Sequence, residues 1–238
     1  MTHQNENAVQ CLQCELSEVC REQGKDDDNA SLGTVPPQSN IQKGEPVCRE
    51  GESFNNLYAV NEGALKSEAA LSGGESRVTG FYFAGEIVGS EAVSMGEYGR
   101  TVVALQDSKV CAIPESSFSL EDKSHGNIYQ GLLLAMSHQV RNEQWTGLMA
   151  AHRSEQRVAL FLFMVSKRLE FHGFSADEFR LPMTRRDIAS YLGLAIETVS
   201  RSFQRLKSAG VIEVSGRNVA LKNRDLLLSV TERLPVPG

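Results

Sequence analysis

The sequence predicts an α+β chain in three parts: an antiparallel β-roll, one long helix and a C-terminal winged helix-turn-helix. Three observations carry that expectation. Short apolar stretches separated by glycine turns fill residues 41–118, the pattern of a small antiparallel barrel or roll. Tyr129, Leu133, Met136, Val140, Glu143, Gly147 and Ala150 then alternate +4 and +3, the period of a helical seam. Finally, Thr184 to Leu194 reads as a capped helix ending in a glycine turn, with a second helix behind it.

The elements follow in order. Residues 1–40 are polar, with Asp26-Asp27-Asp28 and Pro36-Pro37. Such a segment buries too little apolar surface to fold alone and is expected to be mobile unless a metal ties it down. In the roll, expected over 41–126, Leu57-Tyr58-Ala59-Val60 precedes the turn Asn61-Glu62-Gly63. Ala64 to Leu71 and Arg77 to Phe83 flank Ser72-Gly73-Gly74-Glu75, and Thr101 to Leu105 and Lys109 to Ile113 flank Gln106-Asp107-Ser108. A helix over 127–152 is read as a dimerisation helix, with Leu133, Met136, Val140 and Glu143 on its seam. The alternative is an amphipathic helix packed on its own domain. Two copies of Glu143 would approach each other in the seam, so charge would oppose the apolar contacts. Val158 to Val165 is expected to be a core helix.

The DNA-binding domain is expected over 153–238. Thr184 should cap its first helix, with Asp187 three residues on; Asp is shorter than the usual Glu of a capping box. Gly193 permits the turn, and the second helix opens near Ile196. Glu197, Ser200 and Arg201 then share one exposed face at i, i+3 and i+4. Arg can bond guanine O6 and N7 together, Glu accepts from cytosine N4, and Ser is a short donor or acceptor. Thr184, Arg185, Lys207 and Arg217 are candidates for phosphate contacts. Val211-Ile212-Glu213-Val214, Ser215-Gly216-Arg217-Asn218 and Val219-Ala220-Leu221 form a β-hairpin wing.

Charge agrees with this division. The net charge of −6 splits into an acidic body and a basic end: residues 167–238 hold 12 Lys and Arg against 8 Asp and Glu. No apolar run is long enough for a membrane span and no signal-peptide core is present, so the expected compartment is the cytoplasm. The five His are scattered, and no phosphate loop or nucleophile–base motif appears. No enzymatic activity and no small-molecule substrate are expected.

The five cysteines are an odd count, and three of them cluster: Cys11, Cys14 and Cys20 stand at C-x2-C-x5-C, with Cys111 far down the chain. Four thiolates suit either a cubane iron–sulfur cluster or a tetrahedral zinc. Zinc sites more often use two C-x2-C pairs, so three close cysteines plus one distant fit a cluster better. Cys48 fits no ligand spacing and is expected to be a buried or half-buried thiol.

Roll, long helix and winged helix-turn-helix in this order resemble the CRP/FNR family of bacterial transcription regulators, over nearly the whole chain after residue 40. In the roll the resemblance rests on Leu57-Tyr58-Ala59-Val60-x-x-Gly63-x-Leu65-Lys66 and Phe83-Ala84-Gly85-Glu86-Ile87-Val88-Gly89. In the DNA module it rests on Met183-Thr184-Arg185-x-Asp187-Ile188-Ala189-x-Tyr191-Leu192-Gly193-Leu194 and Glu197-Thr198-Val199-Ser200-Arg201. The roll would then be of the cyclic-nucleotide-binding type. The cysteine pattern looks like the oxygen-sensing FNR branch of that family.

The resemblance implies that Cys11, Cys14, Cys20 and Cys111 hold an oxygen-labile 4Fe–4S cluster. It also implies a homodimer that binds double-stranded DNA at a palindrome of the type TTGAT-N4-ATCAA, works with RNA polymerase, and releases DNA when oxygen destroys the cluster. Glu197, Ser200 and Arg201 inherit the half-site reading. Two departures stand out. Arg100-Thr101 matches the phosphate-binding pair of nucleotide-sensing relatives, but Gly89-Ser90 replaces their Gly-Glu. Glu15 puts a carboxylate directly after Cys14, with an effect on the cluster's surroundings that the sequence does not sign. Outside the regulator class, the alternatives are an iron–sulfur electron carrier and, within the family, a zinc-bound or metal-free regulator.

Overall fold

The computed structural model describes residues 13–15, 37–118, 126–224 and 227. The chain divides into two compact units between Val140 and Arg141. In the first unit, alternating apolar residues build two antiparallel four-stranded sheets. One runs in the order β1 (Gln38–Ile41), β8 (Ser108–Pro114), β3 (Asn56–Glu62), β6 (Ile87–Val88). The other runs β2 (Pro46–Cys48), β7 (Thr101–Ala104), β4 (Ala64–Ala70), β5 (Ser76–Phe83). The five strands read from the sequence are all present. The strand-like stretch Val47-Cys48-Arg49 overlaps β2, while the short β1 and β6, and the one-turn helix α1 (Ala92–Met95), carry too few residues for a period to be legible.

Leu57, Leu65, Ile87 and Ile113 are fully buried between the sheets, each contributing about 1.5–3 kcal/mol of burial. The β3–β4 turn needs its glycine. Gly63 has φ +93°, and a Cβ there would run into Ser108, whose Cα would lie 2.8 Å away.

Helix α2 (Gly126–Met149) is continuous across the boundary between the units. The second unit adds α3 (Ser154–Phe171), β9 (Glu178–Arg180), α4 (Arg185–Leu192), α5 (Ile196–Ser208), β10 (Ile212–Ser215) and β11 (Asn218–Leu221). The middle of α3 is buried from Val158 to Phe163 on every side, as a helix apolar all round must be. The expected wing is there, with Val214 opposite Val219 across a tight turn. It gains a third strand, β9, paired with β11; Glu178-Phe179-Arg180 is too short and too charged to announce itself.

Candidate nucleic-acid interface and metal centre

Helix α4 begins where the sequence places it. Thr184 Oγ1 accepts from the Asp187 amide at 3.1 Å, and Asp187 Oδ2 accepts from the Thr184 amide at 2.8 Å. The shorter carboxylate therefore does complete a capping box, and the Thr184 hydroxyl also donates to it at 2.5 Å. Helix α4 ends at Gly193, in the left-handed region at φ +64°, with its amide on Ala189 and Ser190 carbonyls. Ile188, Ala189, Leu192 and Val199 are buried where the two helices cross.

Burying Val199, Ser202, Phe203 and Leu206 fixes the rotation of α5. Its opposite face presents Glu197, Ser200 and Arg201 to solvent, together with Gln204. Arg201 leans back on the Thr198 hydroxyl at 3.4 Å, a weak restraint on an exposed side chain. Gln204 continues the same stripe one turn on, a position that stopping the reading at Arg201 leaves out.

The candidate phosphate contacts separate into two kinds. Thr184 is exposed although its hydroxyl serves the cap, and exposed Lys207 donates to the Val214 carbonyl at 3.3 Å. Arg217 donates to the Pro182 carbonyl at 2.9 Å and thereby holds the wing. Arg185 is half-buried, stacked 3.4 Å over the Phe203 ring. Burial pushes its pKa down to about 10, which leaves it a cation at neutral pH.

Two ties join the end of α2 to this module. The Thr146 and Tyr191 hydroxyls meet at 2.7 Å. Arg157 donates to the Ala150, His152 and Leu192 carbonyls at 2.6, 2.8 and 3.1 Å. One guanidinium thus serves the carbonyls that follow α2 and one at the end of α4. Nothing in the local sequence around Arg157 signals that role.

Helix α2 has one buried and one exposed face. Ala135 is fully buried and Leu132 partly buried against the roll core, while Trp145 and Met149 are buried further along. The seam residues lie on the other side: Leu133, Met136 and Val140 are 65%, 46% and 54% exposed. Glu143 and Gly147 continue that line in the open. Packing on its own unit therefore accounts for one face of the helix and leaves the seam uncovered.

Of the cysteine set, Cys11 and Cys20 lie outside the described residues. Cys111 is buried on β8, between Gln38 of β1 and Ala59 of β3. Cys14 packs against the same apolar cluster that contains Cys111. That cluster contains Cys48 as well, so it places Cys14 on the roll core without singling out one thiol; Cys14 and Cys111 together offer a donor chemistry that fits a thiolate-held metal group. Cys48 sits on the other sheet, in β2. Burial, reinforced by the Glu91 and Glu52 carboxylates, pushes its pKa up to about 12, so it is an inert thiol at neutral pH, as expected of a cysteine outside the ligand set.

At the departures from nucleotide-sensing relatives, both hydroxyls serve the protein itself. Ser90 Oγ donates to Gln139 on α2, and Thr101 Oγ1 accepts from the Glu50 amide at 3.1 Å. No described helix is long and apolar enough to cross a membrane.

Roll, helix and capped helix-turn-helix with a polar exposed face define a DNA-binding transcription regulator. The Crp-like helix-turn-helix domain matches residues 156–230, and the cyclic nucleotide-binding domain matches residues 38–120. The fumarate nitrate reduction regulatory protein of Klebsiella oxytoca is 34% identical over 226 residues, covering 92% of this chain and 89% of that protein. Its counterpart in Escherichia coli strain K12 has the same identity and coverage. Among solved structures, FixK2 from Bradyrhizobium japonicum is similar at TM-score 0.76 and 29% identity, over 85% of this chain and all of that one. CooA from Carboxydothermus hydrogenoformans, at TM-score 0.66 and 15% identity over 82% and 88%, shares the fold alone. The chain belongs to the CRP/FNR family of transcription regulators, and is not an enzyme.

Proposed function

We propose that this chain is an oxygen-responsive regulator in which a 4Fe–4S cluster on Cys11, Cys14, Cys20 and Cys111 governs dimerisation and DNA binding. The observation that supports the reading is the placement of Cys14 against the apolar core of the roll, to which Cys111 belongs; Cys48 belongs to the same core but fits no ligand spacing. When bound, such a cluster supplies a centre that oxygen dismantles. The rest of the work belongs to the chain's own residues. Leu133, Met136 and Val140 would pair two subunits along α2, and each side chain removed from water there would add about 1.5–3 kcal/mol. Two copies of Glu143 would oppose that pairing.

Pairing would set two α5 helices at half-sites about one DNA turn apart. Glu197, Ser200 and Arg201 would then read a TTGAT-N4-ATCAA-like palindrome, with Thr184, Arg185, Lys207 and Arg217 serving phosphates directly or by holding the surface that does. Domains over 1–40, 41–126, 127–152 and 153–238, a cytoplasmic location and contact with RNA polymerase complete the reading. Family membership speaks against the electron-carrier alternative.

The test is iron and sulfide analysis of anaerobically purified protein, with its visible spectrum, followed by gel shifts on the palindrome before and after air. Iron and sulfide in equal amounts, with salt-sensitive binding lost in air, is the expected result. Zinc, or binding indifferent to air, would overturn it.

A further inference from the structure

Glu15, directly after Cys14, makes several contacts with the roll and with α2. Its amide donates to the Gly85 carbonyl at 2.9 Å. One carboxylate oxygen accepts from the Ile87 amide at 3.2 Å, and the other lies 3.4 Å from His138 Nδ1 on α2. The Glu15 side chain is only 5% exposed, so these contacts are shielded from the water that weakens surface pairs.

The turn it grips is itself fixed. Val60 closes it from β3, its amide donating to the Glu86 carbonyl at 2.9 Å and its carbonyl accepting from the Gly85 amide at 2.7 Å. The Glu86 carboxylate accepts from the Phe83 amide at 2.9 Å. From the far side of the turn, the Ile87 carbonyl accepts from Gln139 Nε2 at 3.0 Å, and Ser90 binds the same Gln139 amide group. Glu15 therefore reaches α2 twice: directly at His138, and at Gln139 through the backbone on either side of the Ile87 Cα. The next residue, Val140, is on the exposed seam.

We propose that Glu15 is a positioning residue that clamps the Cys14 segment to α2, so that seating or releasing that segment alters the helix where its seam lies. The inference deepens the proposed function, on which it rests for the sense of the signal. It also gives the carboxylate after Cys14 a task that the spacing of the cysteines does not call for. A ligand segment held only by its own thiolates would report to the roll. This one is bolted to the helix that bears the pairing face.

Hydrogen exchange read by mass spectrometry on the full chain tests the clamp, with and without iron and sulfide supplied, alongside sedimentation. Glu15→Gln keeps an oxygen for the Ile87 amide but loses the charge facing His138. In loaded protein this variant should hold its iron and its protection over residues 85–88. It should lose protection over residues 135–140, and its dimer should weaken about tenfold. His138→Ala should do the same, and the double variant should be no worse than either single one, as for two ends of one contact. A Glu15→Gln helix as protected as the native one, or additive losses in the double variant, would overturn the proposal. If the native chain takes up no iron and sulfide, the proposed function fails by itself. The clamp is then decided on the metal-free chain, where a difference over residues 135–140 between native and Glu15→Gln sustains it and equality refutes it.

Discussion

The helix-turn-helix and the Cys14 segment are held in opposite ways. The first holds itself: Thr184 and Asp187 cap each other across three residues, and Gly193 closes on carbonyls of its own helix. The second is held by partners elsewhere, since Glu15 finds Ile87 72 residues on and His138 further still. A locally capped unit draws the bonds at its helix ends from residues a few positions away. A segment held by a few distant bonds can be released without unfolding anything else, because opening free energies vary across one structure. Under the proposed function, the difference suits a reader that must be ready and a sensor that must let go.

The largest effect that separates the two regions comes from Cys111→Ala. Removing one thiolate of the proposed set should abolish the visible spectrum and the bound iron of anaerobic protein. The melting of the second unit should not change, because the caps and ties described for the helix-turn-helix close on residues of its own unit. A fall in the melting of the helix-turn-helix would break the comparison; retained iron would remove Cys111 from the ligand set.

Arg201→Ala comes next and acts only at the reading face. Arg201 is exposed and, among the described residues, leans only weakly on Thr198, so stability should barely move. Affinity for the palindrome should drop by about 1–3 kcal/mol per half-site, and discrimination at one base pair should relax. Equal losses on specific and random DNA would make Arg201 a phosphate contact instead.

Thr184→Ala is smaller and sits inside the self-held region. Loss of the cap should cost about 1 kcal/mol of helix stability, measured by urea unfolding of the full chain. Iron content should be unaffected. Iron lost in this variant would show that the two regions are coupled in the native chain more tightly than the local bonds of α4 require.

The same contrast decides what the sequence reveals. Thr184, Asp187, Gly193 and the Glu197–Ser200–Arg201 face are legible because each depends on neighbours three or four residues away, and helix geometry fixes those relations. The period of α2 is legible for the same reason, and Leu133, Met136, Val140 and Glu143 share its exposed side. The clamp at Glu15, the Arg157 ties and strand β9 are not legible. They join residues far apart in sequence, and nothing in the spacing of Glu15 or Arg157 encodes the carbonyl, amide or imidazole that each one meets. Arg185 and Arg217 show the same limit from the other side. Their charge suggests phosphate, while tertiary packing gives one a ring to cover and the other a carbonyl to hold.

The smallest expected effect lies on the seam, at the end of α2 that leads to the helix-turn-helix. Leu133, Met136 and Val140 stand ready to be covered, and Glu143 lies on the same exposed line. In a symmetric pair each Glu143 approaches its own copy, and the repulsion between two hydrated carboxylates is about 0.5–1 kcal/mol. That is little beside the apolar gain, yet enough to matter where pairing is closely balanced. Glu143→Ala should therefore tighten the dimer of metal-free protein roughly threefold, with Glu143→Gln doing nearly as much because both remove the charge. Sedimentation of the metal-free variants over a concentration series measures the shift. If both variants dissociate like the native chain, charge on the seam does not set the balance. The control of pairing would then rest with the Glu15 clamp and the placement of α2.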